Sequence, residues 1–434
     1  GIASFLSDQD ENVVMEATRA IHDVLHPSRH ALLALAEMLE TTKLTREPFL
    51  RRAINANRLL ADAASAERLL AFAARAGVPK SMREDALRSA ATWMRSVPID
   101  RVQGFARVSP TGPSDALHQA LTKHLGQLAE SGGAALVELV AAARYQAGAP
   151  FLMQIISAQS TTMKTRVRAM EALVTLDSPE AHRLMKEAAG SEQTAMRQVA
   201  HRYLAKHARH ETDTVSLLTQ ALSCNDLKER QQAYRLLGEL KALTVLREEM
   251  VQLNQGNRSA EIHLDLIEAV RASADEEALN TLADYEAAKS ADDPLAKYRE
   301  SLSGGDLSLG KGIFQTNVIA QCIRCHKHKG RGGEIGPDLT EVGKRLTPEL
   351  LLSSLVQPQA EIAEGYGLVS LTLDDGGTIA GTLIKETQES VSIKDPTGNI
   401  QEINPTKIVA RSPALSSMPP MGDLLTRREL RDLM

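Results

Sequence analysis

Aromatic side chains are scarce in this chain: one Trp, six Tyr and six Phe, 3% of 434 residues. Alanine, leucine, arginine and glutamate are plentiful instead, and that balance leans towards helix. An excess of basic residues is also lacking. The net charge is −5, so the basic footprint of a nucleic-acid-binding surface is not there. The longest nearly apolar stretch, "GGAALVELVAAA", carries Glu138 and is too short to span a bilayer. The opening, "GIASFLSDQDENVV", has no basic start followed by an apolar core, as a secretory signal would. It reads as the middle of a helical repeat, so either a processed mature chain or, the favoured reading, a piece of a longer polypeptide is expected, its compartment to be inferred from chemistry. No Ser-His-Asp, paired-carboxylate, P-loop or dinucleotide motif stands out. Catalysis by side chains alone is unsupported, and the chain as it stands is not expected to be an enzyme.

What is there is length and periodicity. At 434 residues the chain exceeds the size at which one core keeps growing, and roughly two to four domains are expected. From Gly1 to about Tyr298, one amphipathic helix pattern follows another. "ENVVMEATRAIHDVL" places Val13, Val14, Ala17, Ala20 and Ile21 on one stripe. Leu173, Leu204, Leu237 and Val270 stand 31, 33 and 33 residues apart. A pair of antiparallel helices per repeat, stacked as an α-solenoid, suits that step. A non-repetitive helical bundle is the plainer alternative. The Val/Arg-x-x-Ala-x-x-x-Leu pattern resembles HEAT-like repeats. "RSVPIDRVQGFARVSPTGPSD", Arg95 to Asp115, interrupts the array, its prolines and glycines marking a connection or crossing loop.

A second break lies near "SLSGGDLSLG", from Ser301. The expected division is helical repeats over 1–108 and 109–300, then a C-terminal domain over 301–434. Within that domain the period changes from helix to strand after Glu361. "GLVSLTLDDGGTIAGTLIKET" reads as two strands around Asp374–Gly377, and "ESVSIKDPTGNIQEINPTKIVA" as two or three more. A small sheet or barrel is thus inserted at about 366–411, and helix returns in "LLTRRELRDLM".

Two of the three cysteines fall in "QCIRCHKHKG", where Cys322, Cys325 and His326 spell C-x-x-C-H. The pattern is read as attachment of a c-type haem. Structural zinc would need a second pair of ligands, and no His or Cys follows His328. A thioredoxin-like pair would need a strand–helix–strand setting, whereas the flanks read as helix and glycine-rich loop. For haem, each thiol adds to a vinyl group and the adjacent imidazole reaches the iron. A sixth ligand raises the potential if it is Met, while an open position admits other ligands. Met418, Met421, a lysine or water are the choices.

The surrounding residues carry a resemblance. "GPDL" at Gly336–Leu339 and "MPP" at Met418–Pro420 follow the C-x-x-C-H in the order found in class I c-type cytochromes. "GKGIF" at Gly310–Phe314 resembles that family's N-terminal helix, whose Gly and Phe pack on the C-terminal one. The β insertion and the non-aromatic end at Met434 depart from it. Those departures resemble the planctomycete/verrucomicrobial-type haem-binding C-x-x-C-H proteins, strongly over 301–434 and loosely before. The resemblance implies one covalent haem c, with thioethers at Cys322 and Cys325 and axial ligands His326 and Met418. It also implies a Pro337 carbonyl bonded to the His326 ring, and Arg345 on a propionate. It implies extracytoplasmic, periplasmic electron transfer with a redox partner protein or an upstream dehydrogenase domain. The rival is a helical-repeat scaffold whose haem senses ligand or redox state. Nothing in the sequence sets the oligomeric state.

Other residues have plainer readings. His201, His207 and His210 lie close in "HRYLAKHARH"; His207 and His210 are expected on one solvated helix face rather than on a metal. Cys224 is expected to be a half-buried structural thiol, Met421 packing, and Arg331 a second candidate for a propionate. Tyr366 marks either the entry to the β insertion or the haem rim.

Overall fold

The computed structural model describes residues 1–434, the side chain of Thr212 excepted. The chain is mostly helical with a C-terminal sheet. It forms two compact units, Gly1–Ala208 and Arg209–Met434. Among the described residues, no helix is long and apolar enough to cross a membrane.

In the first unit the helices are α1 (Glu11–His22), α2 (Arg29–Thr41), α3 (Glu47–Leu60), α4 (Ala63–Ala74), α5 (Lys80–Ala91) and α6 (Ser114–Ala129). Then come α7 (Gly133–Ala142), α8 (Ala149–Ser157), α9 (Met163–Thr175), α10 (Pro179–Ala189) and α11 (Thr194–His207). Alternate helices pack on one another: α1 on α3, α3 on α5, and so on to α9 on α11, with α2 on α4 and α4 on α6. Local signals set the starts. Asp10 caps α1 by accepting from Asn12 N at 2.8 Å, satisfying one of the helix's orphan donors. The buried stripe of α1 is turned slightly from the expected one. Ala20 is exposed and Thr18 buried, its hydroxyl donating to Val14 O at 2.8 Å.

The interruption after α5 is a hairpin, β1 (Val97–Ile99) with β2 (Ala106–Ser109), where a loop was expected. Its inward face is charged, so hydrophobic alternation does not reveal it. Arg107 donates to Asp100 Oδ2 at 2.9 Å and to the carbonyls of His22 and Val24 at 2.7 and 2.9 Å.

The second unit opens with α12 (Thr212–Ala221), α13 (Leu227–Glu239), α14 (Leu243–Asn254), α15 (His263–Ser273) and α16 (Glu276–Ala287). Helix α13 packs on α15 and α14 on α16. Leu173, Leu204, Leu237 and Val270 are all buried, near the ends of α9, α11, α13 and α15. There follow α17 (Leu307–Thr316), the single turns α18 (Cys322–Cys325) and α19 (Val342–Arg345), α20 (Pro348–Val356) and α21 (Arg427–Leu433). A short hairpin joins β3 (Lys327–His328) to β4 (Arg331–Gly332).

The sheet contains β5 (Gly367–Leu373), β6 (Thr378–Glu386), β7 (Val391–Lys394), β8 (Ile400–Ile403), β9 (Ile408–Arg411) and β10 (Leu415–Ser416). Its order is β10-β5-β6-β7-β8, and β9 also pairs with β5. Val369, Leu371, Val391, Ile393 and Ile403 form its core, the inward half of a period-2 pattern.

The expected boundary at 300/301 lies inside the second unit, and ion pairs cross it. Arg431, 3% exposed, bonds Asp265 at 2.7 Å, and Arg428 bonds Asp265 and Glu268 at 2.9 Å each. Gly310 lets α17 cross α21 closely, because a Cβ there would overlap the Asp432 carbonyl.

Candidate functional site

The C-x-x-C-H segment is built from a capped turn. Asn317 Oδ1 accepts from the N–H groups of Ile319 and Ala320 at 2.9 Å, and Gln321 follows in the left-handed region at φ 46°. One helical turn then runs from Cys322 to Cys325, and the three-residue spacing puts both thiols on one face. Both are half-buried and free of disulfide. Burial pushes the Cys322 thiol above its ordinary range. A thiol held protonated is the opposite of the activated thiolate of a dithiol oxidoreductase. No strand leads into the turn either; α17 and a loop do.

His326 ends that turn, its N–H donating to Cys322 O at 2.9 Å. Its Nδ1 lies 2.9 Å from the Pro337 carbonyl, which can only accept. A neutral ring therefore keeps its proton on Nδ1 and its lone pair on Nε2, the tautomer a metal needs. Gly336 lies against the same ring; a Cβ there would stand 2.5 Å from His326 Cε1. The loop is bonded back to the turn, Gly333 N to Ile323 O at 2.9 Å and Gly336 N to Cys325 O at 2.8 Å. Carbonyls that a one-turn helix would leave orphaned thus have partners.

Arg345 is exposed and donates to the Asp338 carbonyl at 2.7 Å, so it braces the loop that holds Pro337. Arg331 is exposed on β4, and Tyr366 directly precedes β5. Phe314 meets His328 edge-on, with ring centroids 5.9 Å apart.

The two methionines differ. Met421 is 3% exposed, inside a core with Tyr298, Leu352, Val356, Leu425 and Leu430. Met418 is half-buried at the margin of that core, and Ala320, two residues before Cys322, borders it too.

From Leu307 to Leu350, Gly310 alone is fully buried among the described residues. Ile313, Phe314, Ile323, Leu339, Val342 and Leu346 are half-buried, and Val318 and Ile335 are exposed. Two thiols one helical turn apart, followed by an imidazole whose Nδ1 is taken by a carbonyl, are a donor set that fits a covalently held haem. Among the described residues, no three His, Cys, Asp or Glu side chains are gathered to hold a bare metal ion.

Elsewhere, His201 is buried, while His207 and His210 are exposed. Helix α11 ends at His207, so His210 does not share its face as expected; His207 stacks on Tyr203 at 4.6 Å. Cys224 is half-buried, its thiol raised by burial. The sequence reading missed Gly336 against the imidazole, for which the "GGEIGPD" glycines were a signal. It also missed Gln359, bonded to Ser416 across 57 residues, for which there was none.

No protein-family model and no curated protein matches the chain. Among solved structures, an engineered protein is 15% identical, covering 73% of this chain and 84% of its own at a TM-score of 0.33. A chain from a homology model of the full-length AP-3 complex in an intermediate open conformation is 12% identical. It covers 74% of this chain and 61% of its own, at a TM-score of 0.42. Similarity at that level carries no argument about this chain.

Proposed function

We propose that residues 301–434 are a mono-haem c-type cytochrome domain carried on a HEAT-like α-solenoid. Its work is single-electron transfer outside the cytoplasm, between a dehydrogenase partner or upstream domain and a downstream acceptor. The observation that carries the reading is the His326–Pro337 bond beside two free thiols on one helical face. Cys322 and Cys325 would hold the haem by thioethers, His326 Nε2 would be one axial ligand and the Met418 thioether the other. Bound there, the haem supplies one-electron redox chemistry. The chain's own residues orient and shield. Pro337 holds the Nδ1 proton, which fixes the ring plane and raises the basicity of Nε2. Gly336 keeps the ring's flank clear, and Arg345 braces the loop. The alternate-helix packing and the buried leucines at a 31–33-residue step support the repeat reading.

The test is a visible spectrum of the reduced protein, exported in a host that matures c-type cytochromes. Thioether-linked haem is expected, and Cys322→Ala with Cys325→Ala should abolish the covalent link. Haem-free protein from that host would overturn the reading. Spontaneous carbon monoxide binding by the native reduced protein would favour the sensor instead, because it requires an open or weakly held sixth position.

A further inference from the structure

Met418 does not hang from a free loop. Its N–H donates to Ser416 Oγ at 3.2 Å, and Ser416 ends the short strand β10. That strand pairs with the start of β5, Leu415 opposite Leu368 and Ser416 opposite Gly367. Ser416 is also held by a side chain from outside the sheet. Its N–H donates to Gln359 Oε1 at 2.8 Å, and its carbonyl accepts from Gln359 Nε2 at 3.1 Å. The two groups of one strand residue point the same way, so the carboxamide takes the place that a neighbouring strand's peptide would occupy.

Gln359 stands three residues beyond α20, just past the buried Pro358, in a tight turn closed by Ala360 N on Gln357 O at 2.9 Å. Helix α20 contributes Leu352 and Val356 to the core on whose margin Met418 packs. One amide therefore joins the helix floor of the domain, the inserted sheet and the backbone leading to Met418.

We infer that Gln359 is a positioning residue for the Met418 thioether, and that the inserted sheet acts on the iron's sixth ligand through this clamp. The inference rests on Met418 being that ligand. With both hydrogen bonds in place, Ser416 is fixed at two points, and the two-residue step to Met418 leaves little freedom at its Cα. Loss of the clamp leaves β10 held by β5 alone. The thioether then spends less time on iron, and because thioether favours ferrous iron the potential falls.

The experiment uses the full, exported, haem-loaded chain as wild type, Gln359→Ala, Gln359→Glu and Met418→Ala. The readouts are the weak near-infrared band of thioether–ferric ligation, the reduction potential and the visible bands of thioether-linked haem. Gln359→Ala should weaken the near-infrared band and lower the potential while the covalent haem is kept. Gln359→Glu keeps the acceptor for Ser416 N–H and loses the donor to its carbonyl, so it should fall between; it decides the matter if the alanine variant does not fold. Unchanged band and potential in both Gln359 variants, with Met418→Ala abolishing the band, would overturn the inference and leave the ligand assignment standing. No band in the wild type, or none lost in Met418→Ala, would overturn the assignment and the inference with it.

Discussion

At the scale of single residues, two side chains of one type divide along burial. Met418→Ala is expected to remove the near-infrared thioether band and lower the potential, with little change in stability, because Met418 lies at a core margin. Met421→Ala is expected to leave the band and to cost about 2–5 kcal/mol of stability, the usual range for truncating a buried Met. Spectra and denaturant melts of the two variants check both; a lost band in Met421→Ala would move the ligand there. A second residue carries a pH dependence. His22 is buried, its Nδ1 donating to Asp23 at 2.9 Å while Nε2 accepts from Asn55 and Arg107 at 2.9 and 3.0 Å. Burial holds its pKa below the ordinary 6.5, against the Asp23 hydrogen bond, which raises it. The unfolded chain therefore takes up the proton first. The stabilisation is full above about pH 6.5 and is lost as the pH falls below that value. The melting temperature should drop between pH 7 and 5, and His22→Gln should flatten that slope; an unchanged slope would count against it.

At the scale of elements, legibility followed the range of the signal. Strands β5 and β6 were readable because Val369 and Leu371 alternate with outward residues and a glycine pair marks the turn. The C-x-x-C-H turn and the Gly-Pro loop were readable because their spacing is local and chemical. Hairpin β1–β2 was not, since what seats it is a guanidinium and a carboxylate rather than an apolar face. Arg107 and Asp100 have 6% and 0% of their side chains exposed. Asp100 is held below the ordinary carboxylate range by the backbone N–H of Gln103 and by Arg107, against the opposing effect of burial. Removing one partner of a buried pair strands the other charge. Arg107→Ala is expected to cost about 3–5 kcal/mol in the first unit. Replacing both with apolar residues should cost far less, and equal losses would show that packing rather than charge seats the hairpin.

At the scale of the molecule, the site is joined to helices far away in sequence. Helix α21 closes against α17 through Gly310, yet its basic side chains reach α15 and the turn before α17. Arg431 and Arg428 find Asp265 across 166 and 163 residues, and Arg427 finds Glu300 at 3.0 Å. No periodicity announces such pairs, because a charge on a helix face looks solvated until its partner is placed. Their burial decides what the smallest stable piece carrying the C-x-x-C-H turn is. A chain of residues 304–434 keeps Cys322, His326 and Met418 but loses Asp265 and Glu300, the partners of Arg431 and Arg427, and Tyr298 from the core around Met421. A chain of residues 209–434 keeps all three. The longer piece should unfold cooperatively and, if the proposed haem is bound, keep its spectrum, and the shorter should be less stable by more than the roughly 3–5 kcal/mol of one stranded charge. Asp265→Ala in the full chain should reproduce only the part of that deficit that a stranded guanidinium carries, about 3–5 kcal/mol, since it removes no helix and leaves Tyr298 and Glu300 in place. Equal stability of the two pieces would mean that Arg431 reaches water once α15 is gone, and that residues 209–303 add nothing to the fold around Cys322 and His326.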